Sequence, residues 1–373
     1  MRKRKVLITG GAGFIGSHVS DELLRNGYEV RVLDTLLPQV HGPHARRPAY
    51  LDSEVELLIG DVRDAGTLQE ALRGVDAVFH FAAKVGVGQS MYDLVDYTSI
   101  NNEGTARLLE LLIRTPVECL VVASSMSIYG EGMYQDLEGR TVAGTQRSLR
   151  QLRARNWELL TAEGEALLPV PTPETKQPAL ASIYALSKFD QERMCLLTGQ
   201  AYGIRTVALR FFNVYGTRQA LSNPYTGVLA IFASRLLNDR PPTIYEDGYQ
   251  QRDFVSVYDV AQACRLALET SEADGEVFNV GSGKQYTVRE IADYLAEVLD
   301  KEYLEADVTN KYRVGDIRHC FADIERAQKV LGYRSRIGLK EGLAQLADWL
   351  AGQVVEDKAT EASRELELRG LTV

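Results

Sequence analysis

Val6-Leu-Ile-Thr-Gly-Gly-Ala-Gly-Phe-Ile-Gly16 is the stretch that decides how this chain folds. An apolar run of strand length meets glycines at 10, 13 and 16, and a helical pattern opens at Phe14. A glycine triplet alone is weak evidence, but between a strand and a helix it has a mechanism. Gly10 permits a tight turn, Gly13 lets the backbone approach a diphosphate, and Gly16 lets helix and strand pack closely. The diphosphate then rests on the helix N-terminus, where unpaired N–H groups and the helix dipole favour negative charge.

Outward from this turn the same alternation continues. Segments 5–9, 29–33, 55–59, 77–81, 119–123 and 206–211 are short, apolar and mostly unalternating. Such runs suit parallel strands covered on both faces. Helical periods fill 14–26, 65–72, 102–114 and 183–202, and Pro116 stops the third. The fold class expected is α/β, a Rossmann-type doubly wound parallel sheet with a smaller mixed α/β substrate-binding domain. The first domain spans 1–217 and is completed by 255–285; the second takes 218–254 and 286–350. Two regions break the rhythm. The insertion 131–182 reads as a helical excursion over 145–168 with a proline-rich extended return, placed where a lid could lie. The tail 351–373 is polar and densely charged, and reads as a solvated helix or frayed end.

Bulk composition narrows the classes. The chain has 373 residues, 45% apolar and 25% charged, with net charge −9. An acidic balance argues against nucleic acid, whose phosphates want a basic face. The basic start, Met1-Arg-Lys-Arg-Lys, precedes an apolar run too short for a signal peptide. No stretch reaches membrane-spanning length. A cytoplasmic protein is expected. Four separated cysteines lack Cys-x-x-Cys spacing and read as reduced, buried thiols, and no metal site is expected.

Two further features carry chemistry. Asp34 ends the second strand, where an acid accepts hydrogen bonds from both hydroxyls of an adenosine ribose and repels a 2′-phosphate. It therefore selects NAD over NADP. Asp61, ending the next strand, is positioned for adenine, with Asp64 as the cap of the following helix. Tyr184-Ala-Leu-Ser-Lys188 puts a phenol and an ammonium one helical turn apart. A phenol of pKa about 10 is a poor base, and a neighbouring cation brings it toward working pH.

Together these residues resemble the extended short-chain dehydrogenase/reductases, in their nucleotide-sugar epimerase/dehydratase branch. The motifs recur in order: the glycine turn, Asp34, HFAA at 80–83, NNEGT at 101–105, ASSMSIYG at 123–130, Tyr184 with Lys188, RFFNVYG at 210–216, QRDFVSVYDVA at 251–261 and RVGDIRHCFAD at 313–323. The resemblance implies a cofactor site of Gly10, Gly13, Phe14, Ile15, Gly16, Asp34, Asp61, Val62, Phe81, Ala82, Ala83, Asn101, Tyr184 and Lys188. It implies Ser125, Tyr184 and Lys188 as the catalytic set, with Ser125 bonding the sugar oxygen. Asn213, Arg252 and Arg313 would hold the substrate diphosphate, Tyr245 would stack on its base, and Cys320 would stand beside the sugar. A homodimer through the helices at 102–114 and 183–202 is implied as well.

One departure from the branch decides the expected reaction. Its dehydratases follow the catalytic hydroxyl with an Asp-Glu pair that performs elimination; here those positions are Met126 and Ser127. Met126 can neither donate nor accept the proton that elimination moves, and Ser127 at its ordinary pKa is no substitute. What is left oxidises and re-reduces one carbon, which implies a 4-epimerase of UDP- or dTDP-linked hexoses with tightly bound NAD. A reductase or dehydrogenase that exchanges its cofactor is the alternative, and a dehydratase the remoter one.

Overall fold

The computed structural model describes residues 3–42, 46–223, 225, 227–313, 315–353 and 357–372. Its centre is a seven-stranded sheet built from β1 (Lys5–Thr9), β2 (Glu29–Asp34), β3 (Glu56–Ile59), β4 (Ala77–His80), β5 (Cys119–Ser125), β6 (Arg205–Phe211) and β7 (Val277–Val280). The strand order is β7-β6-β5-β4-β1-β2-β3, and every pairing is parallel. Strand β7 comes from the stretch 255–285.

Period-two alternation explains why the strand sequences look continuously apolar. Val6 and Ile8 of β1 belong to the core on one face, and Leu7 to the core on the other. Both faces are covered, so neither set tolerates polar residues. The strand order reverses between β1 and β4, and their C-terminal ends open the crevice that ligands use in such sheets. A separate apolar core, with Phe232, Ile291 and Leu343, supports the second lobe.

The insertion differs from its expectation. Met133–Gln135 pairs antiparallel with both Thr141–Ala143 and Leu168–Val170. The one helix described there is Leu149–Arg153, after which Arg155 adopts a left-handed φ of 55°. The charges that suggest a helical surface have distant partners instead. Arg318 is fully buried and bonds Glu158 of the insertion at 2.5 Å, Glu246 at 3.1 Å and Asp247 at 2.6 Å. Arg147 bonds Glu246 at 2.8 Å, and His319 meets Glu158 at 2.9 Å. Burial alone would raise the Glu158 carboxyl, but bonds from His319 and Arg318 hold it down to about 2. The extended return adds Thr172, whose N–H donates to Phe321 O at 2.8 Å. Stitched at this many points, the insertion is a brace against the second lobe and not a lid.

Removing Arg318 tests the brace. Arg318→Met leaves Glu246 buried beside a lost partner, a change that typically costs about 3–5 kcal/mol. The unfolding midpoint should fall by several degrees. An unchanged midpoint would mean that the insertion is held by its backbone stitching alone.

Candidate active site

The strand ends surround a cleft of about 1170 Å³. At one end the glycine turn behaves as its spacing predicts. Gly10 has φ +69°, and a Cβ there would lie 2.9 Å from Ala82 N. A Cβ on Gly16 would lie 2.5 Å from Gly11 Cα. Helix α1 (Phe14–Arg25) starts from Gly13 with no side-chain cap, so its first N–H groups remain available. Gly10, Gly13, Phe14, Ile15, Gly16, Asp34, Asp61, Val62, Phe81, Ala82 and Ala83 all line the cleft. Asp34 is held by N–H donation from Ala12 at 3.0 Å and Leu36 at 2.9 Å. Bare backbone donors at a glycine cradle, with a fixed carboxylate one strand away, fit a dinucleotide diphosphate and its ribose.

Two residues of the expected cofactor set also make contacts within the protein. Asp61 is bonded by Arg63 at 2.6 Å, a pairing that lowers its pKa, while Asp64 caps the next helix through Thr67 N–H. Asn101 is buried behind the cleft wall. It accepts from Lys84 N–H at 2.7 Å and donates to Ser187 Oγ at 2.9 Å. It sits in a π-helical turn, Thr98–Glu103, that delays the expected helix until Gly104–Arg114. Its geometry is that of a tie between the loop after β4 and the helix Ile183–Tyr202.

That helix carries Tyr184 and Lys188, two of the three residues expected to be catalytic. Ser182 caps it by accepting from Ala185 N–H at 3.0 Å, and Ser90 Oγ accepts from Tyr184 N–H at 3.0 Å. Ser125, Met126, Ser127, Tyr184 and Lys188 share the cleft wall. Burial pushes the Tyr184 phenol up, and its hydrogen bond with Ser125 pulls the other way. The spacing predicts that Lys188 lowers the phenol, yet burial and Ser125 are what govern Tyr184 here. The ammonium is instead turned to Gln191, donating to Oε1 at 2.7 Å, and burial lowers Lys188 to about 8. Gln191 in turn donates to Thr105 Oγ1 at 2.8 Å, which meets His80 at 2.8 Å; His80 meets Thr9 at 2.8 Å. Burial holds His80 near 3, hence neutral. Gln191 is absent from the residues that the sequence singles out. Its one signal there is a polar residue one turn beyond Lys188 on the face that turns inward.

At the opposite end, Asn213, Tyr245, Arg252 and Arg313 line the cleft. Asn213 Nδ2 donates to Asp253 O at 2.9 Å. Arg252 bonds the carbonyls of Gln251 and Arg318, at 2.9 and 2.8 Å, and also that of Ile317. Arg313 pairs with Asp316 at 3.0 Å and lies 4.7 Å over the Tyr245 ring. Cys320 does not join them. Its side chain is 1% exposed, packs in the main core, and points its Sγ at Thr172 Oγ1, 3.8 Å away. Thr172 of the insertion thus packs on Cys320, which is not among the described residues that line the cleft. The tail is not a free end either: Ala359–Leu368 is a helix whose Ala362 and Leu366 are buried.

Residues 6–281 match the model of the NAD dependent epimerase/dehydratase family. The chain is 34% identical over 355 residues to a dTDP-L-rhamnose 4-epimerase of Burkholderia thailandensis, covering 94% of this chain and 96% of that one. It is 32% identical over 348 residues to a putative UDP-glucose 4-epimerase of Methanocaldococcus jannaschii, covering 92% and 98%. Among solved structures, the UDP-glucose 4-epimerase of Thermus thermophilus, in complex with NAD, superposes with a TM-score of 0.73. That pair shares 32% identity and covers 94% and 100% of the two chains.

Gln191 offers a direct test of the site. Gln191→Leu removes an acceptor that stabilises the charged lysine, so Lys188 should titrate below about 8. The pH dependence of lysine acylation, read at Lys188 by mass spectrometry, measures this. An unmoved titration would make Gln191 a packing residue only.

Proposed function

The chain belongs to the NAD dependent epimerase/dehydratase family, and on that footing we propose that it is a nucleotide-diphospho-sugar 4-epimerase. One observation carries the choice within the family. Met126 and Ser127 stand on the cleft wall next to Ser125, where elimination would call for acids. The cleft's described carboxylates are Asp34, Asp61, Asp307, Asp316 and Glu367. Asp34 is held by backbone N–H groups, while Asp61, Asp316 and Glu367 are paired with Arg63, Arg313 and Lys311. Asp307 belongs to a strand paired with Thr243–Ile244.

The residues divide the work. Gly10, Gly13, Gly16 and Asp34 hold NAD, which when bound supplies the hydride acceptor and donor for C4 of the sugar. Ser125 hydrogen-bonds the 4-oxygen. Tyr184 takes the 4-hydroxyl proton as the carbonyl forms and returns it when the opposite face is reduced. Lys188 keeps a positive charge one turn from the phenol. Asn213, Arg252, Arg313 and Tyr245 grip the nucleotide while the sugar turns. Guanidinium forks suit a diphosphate better than ammonium does.

For substrate, dTDP-6-deoxyhexoses such as dTDP-L-rhamnose are the first choice, with UDP-hexoses second. Support comes from the 34%-identical relative and from apolar Val85, Val87 and Met126 along the wall. Retention of NAD through purification would distinguish this reading from a reductase, which must release its cofactor. A homodimer through Gly104–Arg114 and Ile183–Tyr202 fits the exposed Leu186 and Leu197 on the second helix. No helix among the described residues is long and apolar enough to cross a membrane, and a cytoplasmic setting suits such substrates.

Incubation of the purified protein with dTDP-L-rhamnose and with UDP-glucose, followed by NMR, should yield a 4-epimer of one of them. In deuterated water that product should carry no carbon-bound deuterium, because C3 and C5 never ionise. Deuterium at C5 would return the protein to elimination chemistry. Tyr184→Phe should lower turnover about 10²- to 10⁴-fold while nucleotide-sugar binding persists. Turnover close to the parent's would remove Tyr184 from the role of base.

A further inference from the structure

The C-terminal helix Ala359–Leu368 lies across the cleft and touches both of its sides. From the second lobe, Arg240 bonds Asp357 at 3.0 Å just before the helix, Tyr245 meets Ser363 at 2.9 Å, and Lys311 bonds Glu367 at 2.6 Å. On the sheet side, Leu366 reaches within 3.3 Å of where a Cβ on Gly88 would stand. Arg369 lies 4.3 Å over the Tyr92 ring. Beyond the helix, Thr372 forms a β-bridge with Arg313. Thr360, Ala362, Ser363 and Leu366 face the cleft itself.

Two of these contacts, from Ser363 and Thr372, reach Tyr245 and Arg313, the pair assigned above to the base and the diphosphate. We propose that this helix is the outer wall of the nucleotide-sugar site, with Ser363 and Leu366 as determinants of nucleotide binding. The inference rests on the nucleotide-sugar reading and adds a binding element to it. Ser363 fixes the Tyr245 hydroxyl, and with it the plane on which a pyrimidine stacks. The Thr372 bridge fixes the backbone that carries Arg313. Leu366 seals the gap toward Gly88, so the sugar can turn without leaving.

The attachment is also weak enough to let substrate enter. Apart from Ala362 and Leu366 the anchors are polar: Asp357 is buried beside Arg240, while the Lys311–Glu367 pair is exposed on both sides, and ion pairs of that exposed kind contribute little. A segment with few buried apolar contacts opens locally without unfolding the rest. The wall therefore raises affinity for the nucleoside diphosphate while leaving the dinucleotide cradle at Gly10–Gly16 untouched.

Three proteins test this: the intact chain, a chain ending at Gln353, and full-length Leu366→Asp. Calorimetric titration with dTDP and with UDP gives the affinities, and bound NAD after purification reports the cradle. The intact chain should bind at least one of the two nucleotides. Both variants should bind it about tenfold or more weakly with unchanged NAD content. Equal affinity in all three would overturn the proposal, and so would tighter binding by the variants, which would make the helix an obstruction. Should truncation disturb folding, Leu366→Asp and a fourth protein, Ser363→Ala, decide on the same readout. An intact chain that binds neither nucleotide would instead sink the nucleotide-sugar reading beneath it.

Discussion

The buried pair between Glu192 and Arg210 is the contact on which the geometry of the site depends. Their atoms meet at 2.7 and 2.9 Å, with almost no solvent at either side chain. Ser124 at the end of β5 donates to the same carboxylate at 2.6 Å. The guanidinium donates to the Tyr129 hydroxyl at 2.8 Å, and Tyr129 donates to Asn279 of β7 at 2.7 Å. One ion pair thus joins the helix Ile183–Tyr202 to the ends of β5, β6 and β7. Replacing such a pair with apolar residues is often neutral for stability, whereas losing one partner costs about 3–5 kcal/mol. What this pair gives the protein is position. Lys188 and Tyr184 lie one and two turns before Glu192 on the same helix, and Ser125 follows Ser124.

From that anchor the site divides into stiff and yielding parts. The cofactor end is backbone, glycine and a carboxylate fixed by two N–H groups, with little room to move. The floor of the second lobe is stiffened by Arg318, Arg147 and their carboxylates, which tie in the insertion. The outer wall is a short helix held by scattered polar contacts. An enzyme that must keep its nucleotide while a ketone turns over needs this gradation. In the proposed reaction the rigid donors would orient the hydride path, and the proposed outer wall would admit substrate.

The parallel sheet was legible in the sequence because strand burial on both faces leaves an apolar signature, and glycine spacing announces the turn. The expected strand 5–9 and helix 183–202 match the observed elements at both ends, while 119–123 falls short because β5 runs on into the hydroxyls of Ser124 and Ser125. The insertion's sequence points elsewhere for a physical reason: Arg147 and Glu158 look like surface charge until Glu246 and Arg318, far along the chain, are beside them. Cys320 misled similarly, since only the fold brings Thr172 over it. The tail's role was hidden because two buried residues in a charged ten-residue helix leave a faint amphipathic trace. Gln191 has little signal of its own, being one polar residue on a helix whose buried face also holds Ser187, Lys188 and Glu192.

The claim that one carbon is oxidised and reduced inside a single closed site is open to a direct isotopic measurement. A nucleotide sugar that the enzyme accepts, deuterated at C4, should give the epimer with deuterium still at C4. Turnover should show a primary isotope effect where hydride transfer limits the rate. Retention of the label in each product molecule is what the account predicts. Loss of deuterium to water, or its appearance in exchangeable cofactor, would contradict it.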